Sequence, residues 1–66
     1  MIGRKVRRQG NKLYVTSGTA SVVAYWRQVP GNGHDELFVE VGDEGTLGDF
    51  EDALGVVRQM MLGEDR

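Results

Sequence analysis

The chain of 66 residues has no cysteine, one proline, one histidine and, across its first 34 positions, no aspartate or glutamate. The missing cysteines exclude disulfides and thiolate metal sites. With His34 as the lone histidine, a multi-histidine metal site is excluded too, and no Cys/His or Ser/His/Asp set suggests catalysis. No apolar run approaches the roughly 20 residues that a membrane helix needs. The opening MIGRKVRRQG carries charge with no apolar stretch behind it, so a secretory signal is not expected. These absences lead to the expectation of a soluble cytoplasmic protein that is not an enzyme and needs no cofactor.

The acids are all in the second half. Residues 1–34 hold Arg4, Lys5, Arg7, Arg8, Lys12 and Arg27, giving +6. Residues 35–66 hold ten acids against Arg58 and Arg66, giving −8. A split of this kind marks a nucleic-acid-binding arm, an acidic partner surface or head-to-tail self-association, and by itself does not choose among them.

Apolar periodicity places the elements. Leu47, Phe50, Leu54, Val57 and Met61 recur at spacings of three and four, which predicts a helix over residues 46–62, widened by Ala53, Val56 and Met60. Thr46 is a candidate N-cap with Asp49 three residues on, and Gly63 stands where a C-terminal cap glycine would. Gly48 and Gly55 interrupt the helix, and close approach to a sheet is the expected reason. Upstream, Lys12–Thr16, Ser21–Val29 and Glu36–Val41 read as strands, with a turn at Pro30, Gly31, Asn32 and Gly33. Residues 1–11 are either a basic arm or a first strand pairing with Lys12–Thr16 across Gly10 and Asn11, the hairpin being favoured. The whole predicts one small α+β domain over residues 1–66, with a sheet over 12–41. It is an antiparallel meander of three to four strands with one C-terminal helix packed on Leu13, Val15, Leu37, Val39 and Val41.

One helix covers one face, yet the middle strand is apolar on both. Its faces read Val22, Ala24, Trp26 and Val23, Tyr25, Arg27. The uncovered face is expected to hold Tyr14, Phe38 and either Val23 with Tyr25 or Val22 with Trp26. A patch of that kind marks an interaction surface. Tyr14, Tyr25, Arg27 and Phe38 are therefore the candidate partner-binding residues, and a second copy of the chain is the simplest partner. The alternative is nucleic acid held by Arg4, Lys5, Arg7, Arg8 and Lys12, with bases stacked on the rings. Glu36 and Glu40 flank Phe38 and oppose phosphate there. The glycine-rich turn Gly42–Phe50 is crowded by Asp43, Glu44, Asp49, Glu51 and Asp52, so anion binding is not expected. The same acids match no calcium-loop spacing, and the helix dipole accounts for them without a metal.

A basic N-terminus, about three antiparallel strands and one helix together resemble, in outline, the arm-binding domains of phage integrases. That resemblance implies DNA contact, from which the acidic strand Glu36–Val41 departs. In size and compactness the chain is also similar to phage or mobile-element inhibitors of host proteins. The expectation carried forward is a small interaction module, a regulator or inhibitor that forms a homodimer or binds another protein, with nucleic acid as the alternative.

Overall fold

Four strands and a helix follow one another along the chain: β1 (Arg4–Gln9), β2 (Lys12–Ser17), β3 (Ala20–Gln28), β4 (Asp35–Val41) and α1 (Leu47–Leu62). The computed structural model describes residues 3–31 and 33–63. Residues 1–2 of the expected arm and Asn32 of the expected turn lie outside them. The strands form one antiparallel sheet in the order β1-β2-β3-β4, an α+β meander with its helix on one side.

Two glycines set the first two turns. Gly10 and Gly18 have φ of 61° and 59°, while among the described residues no other residue type has positive φ. Each two-residue turn thus begins with a glycine in the left-handed region, the pattern that matches the twist of a hairpin. The basic segment is therefore a paired strand rather than a loose arm, with Arg7 opposite Tyr14 and Gln9 opposite Lys12. The helix starts at Thr46, whose side chain accepts a hydrogen bond from the Asp49 N–H at 3.1 Å. It ends at Gly63, which has φ of 70° and donates its N–H to the Arg58 carbonyl.

The core is made where α1 crosses β2 and β3. Leu13, Val15, Val22, Ala24, Ala53 and Val57 are buried, with Leu37, Phe50, Leu54, Val56 and Met61 packed around them. The expected stripe is present, but its deepest line runs through Ala53 and Val57. Leu47 is 74% exposed, because side chains tilt toward a helix's N-terminus and Leu47 is its first residue, and Met60 is also exposed. Val39 and Val41 were expected under the helix, and both are exposed. A helix is about 10 Å across and strands lie about 4.8 Å apart, so one helix spans two strands and leaves β4 outside. The expected reason for Gly48 and Gly55 is also overturned. An added Cβ at either would meet nothing within 4 Å. Among the described residues no helix is long and apolar enough to cross a membrane.

Candidate interaction surface

Strand alternation and register decide which side chains share the face away from α1. Lys5, Arg7 and Gln9 on β1 stand beside Lys12, Tyr14 and Thr16 on β2. These adjoin Ser21, Val23, Tyr25 and Arg27 on β3, and then Glu36, Phe38 and Glu40 on β4. The middle strand thus presents Val23 with Tyr25, and the candidate residues Tyr14, Tyr25, Arg27 and Phe38 lie on one face. The basic residues divide. Lys5, Arg7 and Lys12 join this open face, whereas Arg4 and Arg8 stand on the helix side.

Each ring on the open face carries a cation. The Arg7 guanidinium lies 4.9 Å from the Tyr14 ring centre, the Lys12 ammonium 5.4 Å from Tyr25, and the Arg27 guanidinium 4.8 Å from Phe38. Tyr25 and Phe38 stack with centres 6.0 Å apart and planes 12° from parallel. The Tyr25 hydroxyl donates to Glu40 at 2.9 Å. These arrangements follow from register: Arg7 faces Tyr14, Lys12 faces Tyr25, and Arg27 is diagonal to Phe38. Lys5, Arg7, Lys12 and Arg27 against Glu36 and Glu40 give this face a net charge of +2. The sequence split has become a split between faces, with the helix and its approach holding Asp43, Glu44, Asp49, Glu51 and Asp52.

A second cluster was not legible in the sequence. Ser17 is buried at the end of β2 and its hydroxyl donates to Asp52 Oδ2 at 2.8 Å. Arg4 Nε donates to the same oxygen at 3.0 Å, while Arg4 Nη2 pairs with Oδ1. The hydrogen bonds from Arg4 and then Ser17 hold the Asp52 carboxyl below its ordinary value. Arg4, Glu51, Asp52, Gly55, Val56 and Gln59 line an adjoining open groove of about 250 Å³. With its hydroxyl donating to the Asp52 carboxylate, Ser17 joins strand to helix. His34 is exposed in the β3–β4 turn, 3.7 Å from Glu36. Among the described residues no three His, Asp or Glu side chains are grouped to hold a metal.

Sequence reasoning also missed an apolar strip on the helix side. Trp26 (40% exposed), Val39 and Val41 (58%) stand beside α1 rather than under it. For Val39 and Val41 the signal is the alternation Leu37, Val39, Val41 on β4, a line that the sequence places under the helix; Trp26 adjoins them on β3. The chain matches no family model, no curated protein and no solved structure.

Proposed function

We propose that this chain is a non-enzymatic interaction module of the cytoplasm whose open sheet face binds an acidic surface of a partner protein. The observation that carries this reading is the collection of four cations and three aromatic rings on a face the helix leaves uncovered. Aromatic residues and arginine are enriched at interface cores, the rings because they bury large area with few rotatable bonds and arginine because its planar guanidinium both stacks and forms several hydrogen bonds. A net charge of +2 favours an acidic partner and speeds its encounter. Glu36 and Glu40 on the β4 margin favour a protein, whose surface carries both signs, over a uniformly charged polyphosphate. A module that binds without chemistry acts by occupying its partner, which makes it a regulator or inhibitor. Pairing this face with itself would set +2 against +2, which disfavours self-association through it.

A second reading has its own observation. On β1 and β2, Lys5, Arg7, Lys12 and Tyr14 form a patch free of acids, suited to phosphates and a stacked base. Capture from a cell lysate by the wild type and by Lys12→Glu/Arg27→Glu, with and without nuclease, separates the two. A nuclease-resistant protein that the double variant loses is the expected result. A nuclease-sensitive catch would transfer the function to nucleic acid, and a partner retained by the double variant would overturn the open face as the binding surface.

A further inference from the structure

The two edges of the sheet carry opposite charge. β1 presents Arg4, Lys5, Arg7 and Arg8 with no acid, and β4 presents Asp35, Glu36 and Glu40 with no base. Both are edge strands whose outer backbone groups are unpaired within the sheet, a template for pairing with another chain.

Hydrogen-bond phase shows which residues offer those groups. Gly18 N–H donates to the Gly3 carbonyl at 3.0 Å, and Gly42 N–H to the Ser21 carbonyl at 2.8 Å. In an antiparallel ladder, successive residues direct their backbone groups to alternate sides. Lys5, Arg7 and Gln9 therefore bond to β2, and Arg4, Val6 and Arg8 point outward. Likewise Glu36, Phe38 and Glu40 bond to β3, and Asp35, Leu37, Val39 and Val41 point outward. On both edges the outward residues have their side chains on the helix side. An antiparallel junction of β1 with β4 from another copy thus preserves the pleat and keeps every helix on one side.

We infer that the protein associates head-to-tail with further copies of itself, β1 of one pairing with β4 of the next. Several registers satisfy backbone and faces, and two show the pairing of charge. One sets Val6 opposite Val39 and Lys5 opposite Glu40. The other sets Val6 opposite Leu37, Arg7 opposite Glu36 and Arg8 opposite Asp35. Either covers Val6 and Val39, which are exposed in the single chain, and lays the aliphatic stem of Arg8 along the apolar strip. Arg4 keeps its partner Asp52, and Lys5, Arg7 and Arg8 supply the seam's positive charge. Like edges are discouraged from pairing, since β4 on β4 gathers three carboxylates from each copy and β1 on β1 four cations from each.

A head-to-tail junction leaves one β1 and one β4 free, so growth does not stop at two copies. Closure of two copies into eight strands would put either the helices or the cationic face inside a barrel with room only for side chains. The inference is independent of the open-face reading, because it uses strand edges and needs no partner protein.

Sedimentation equilibrium from ~10 μM to ~1 mM tests it. Average mass should rise beyond two copies, and less so in high salt. Val39→Pro removes only an outward N–H on an edge strand, a position that proline tolerates, and should abolish the rise while circular dichroism is unchanged. Lys5→Glu/Arg8→Glu and Asp35→Lys/Glu36→Lys should each be monomeric alone and co-assemble when mixed, because each supplies the edge the other has lost. A wild type monomeric throughout, a mass that saturates at two copies, association that survives in folded Val39→Pro, or charge variants that fail to co-assemble would each overturn the inference.

Discussion

Arg4 on the first strand forks onto Asp52 in the second turn of the helix, with Nε 3.0 Å from Oδ2 and Nη2 on Oδ1. The contact joins the basic and acidic halves of the chain across 48 positions, and buried Ser17 fixes the carboxylate from below.

Stability should therefore depend on pH through Asp52. Its carboxyl is held below its ordinary 3.8 by the Arg4 and Ser17 hydrogen bonds, so the folded state favours the ionised form. That contribution is full above the unfolded value and is lost as pH falls through the lower, folded one. Urea midpoints of the wild type and Asp52→Asn should differ most near neutrality and converge as pH drops through 3.8 and below. A gap that stays constant down to strong acid would show that Asp52 acts by shape rather than charge.

Core substitutions should separate the buried line of the helix from its visible stripe. Leu13 is fully buried beneath Ala53 and Val57, and Leu13→Ala should cost ~2–5 kcal/mol. Ala53→Leu should cost ~1–3 kcal/mol by overpacking against the sheet. Leu47→Ala should lie within ~0.5 kcal/mol of the wild type, since Leu47 is largely in water. Denaturant midpoints of the three give the ordering, and a severe loss from Leu47→Ala would mean that the helix sits lower on the sheet.

Two glycines should respond in opposite directions. Gly45 has φ of 138°, and an added Cβ would lie 2.6 Å from the Cβ of buried Ala20 and 2.8 Å from its Cα. Gly45→Ala should destabilise by ~2 kcal/mol or more, combining backbone strain with a clash against main chain. Gly55 is exposed inside α1 with open space around it, so Gly55→Ala should stabilise by ~1 kcal/mol. In a domain this small, melting temperatures should move by ~4–8 °C for each kcal/mol. Equal responses at the two sites would remove the distinction drawn between them.

Periodicity carried most of the fold. The helix and its caps, three strands and the uncovered aromatic face were all readable, because alternation and a 3.6-residue repeat are local properties of a chain. What was not readable depended on lateral position. Val39 and Val41 alternate as core residues do, yet the helix is two strands wide and lies over β2 and β3. Ser17 lies just past the predicted strand Lys12–Thr16, and only the fold brings Asp52 to it across 35 positions. Tyr14 and Phe38 could be placed on the uncovered face from sequence, whereas the choice between Tyr25 and Trp26 beside them needed the register. The cation above each ring required the register that pairs Arg7 with Tyr14 and Lys12 with Tyr25.

On the open face, energy should be concentrated at the cation-capped rings. Tyr14, Tyr25 and Phe38 are half-buried and held by neighbours, so little ordering entropy remains to be lost when a partner covers them. Tyr14→Ala, Phe38→Ala or Arg27→Ala should each weaken binding of the captured partner by ~2 kcal/mol, about thirtyfold in Kd. Thr16→Ala and Ser21→Ala lie on the same face without ring or charge and should stay within about threefold. Raising salt from ~50 to ~500 mM should weaken wild-type binding, and Arg27→Ala should show a shallower salt dependence because one interacting charge is gone. Titration calorimetry on this set reads both quantities. Equal effects from all five substitutions, or an affinity indifferent to salt, would reduce the face to a solvated surface and remove the basis for an acidic partner.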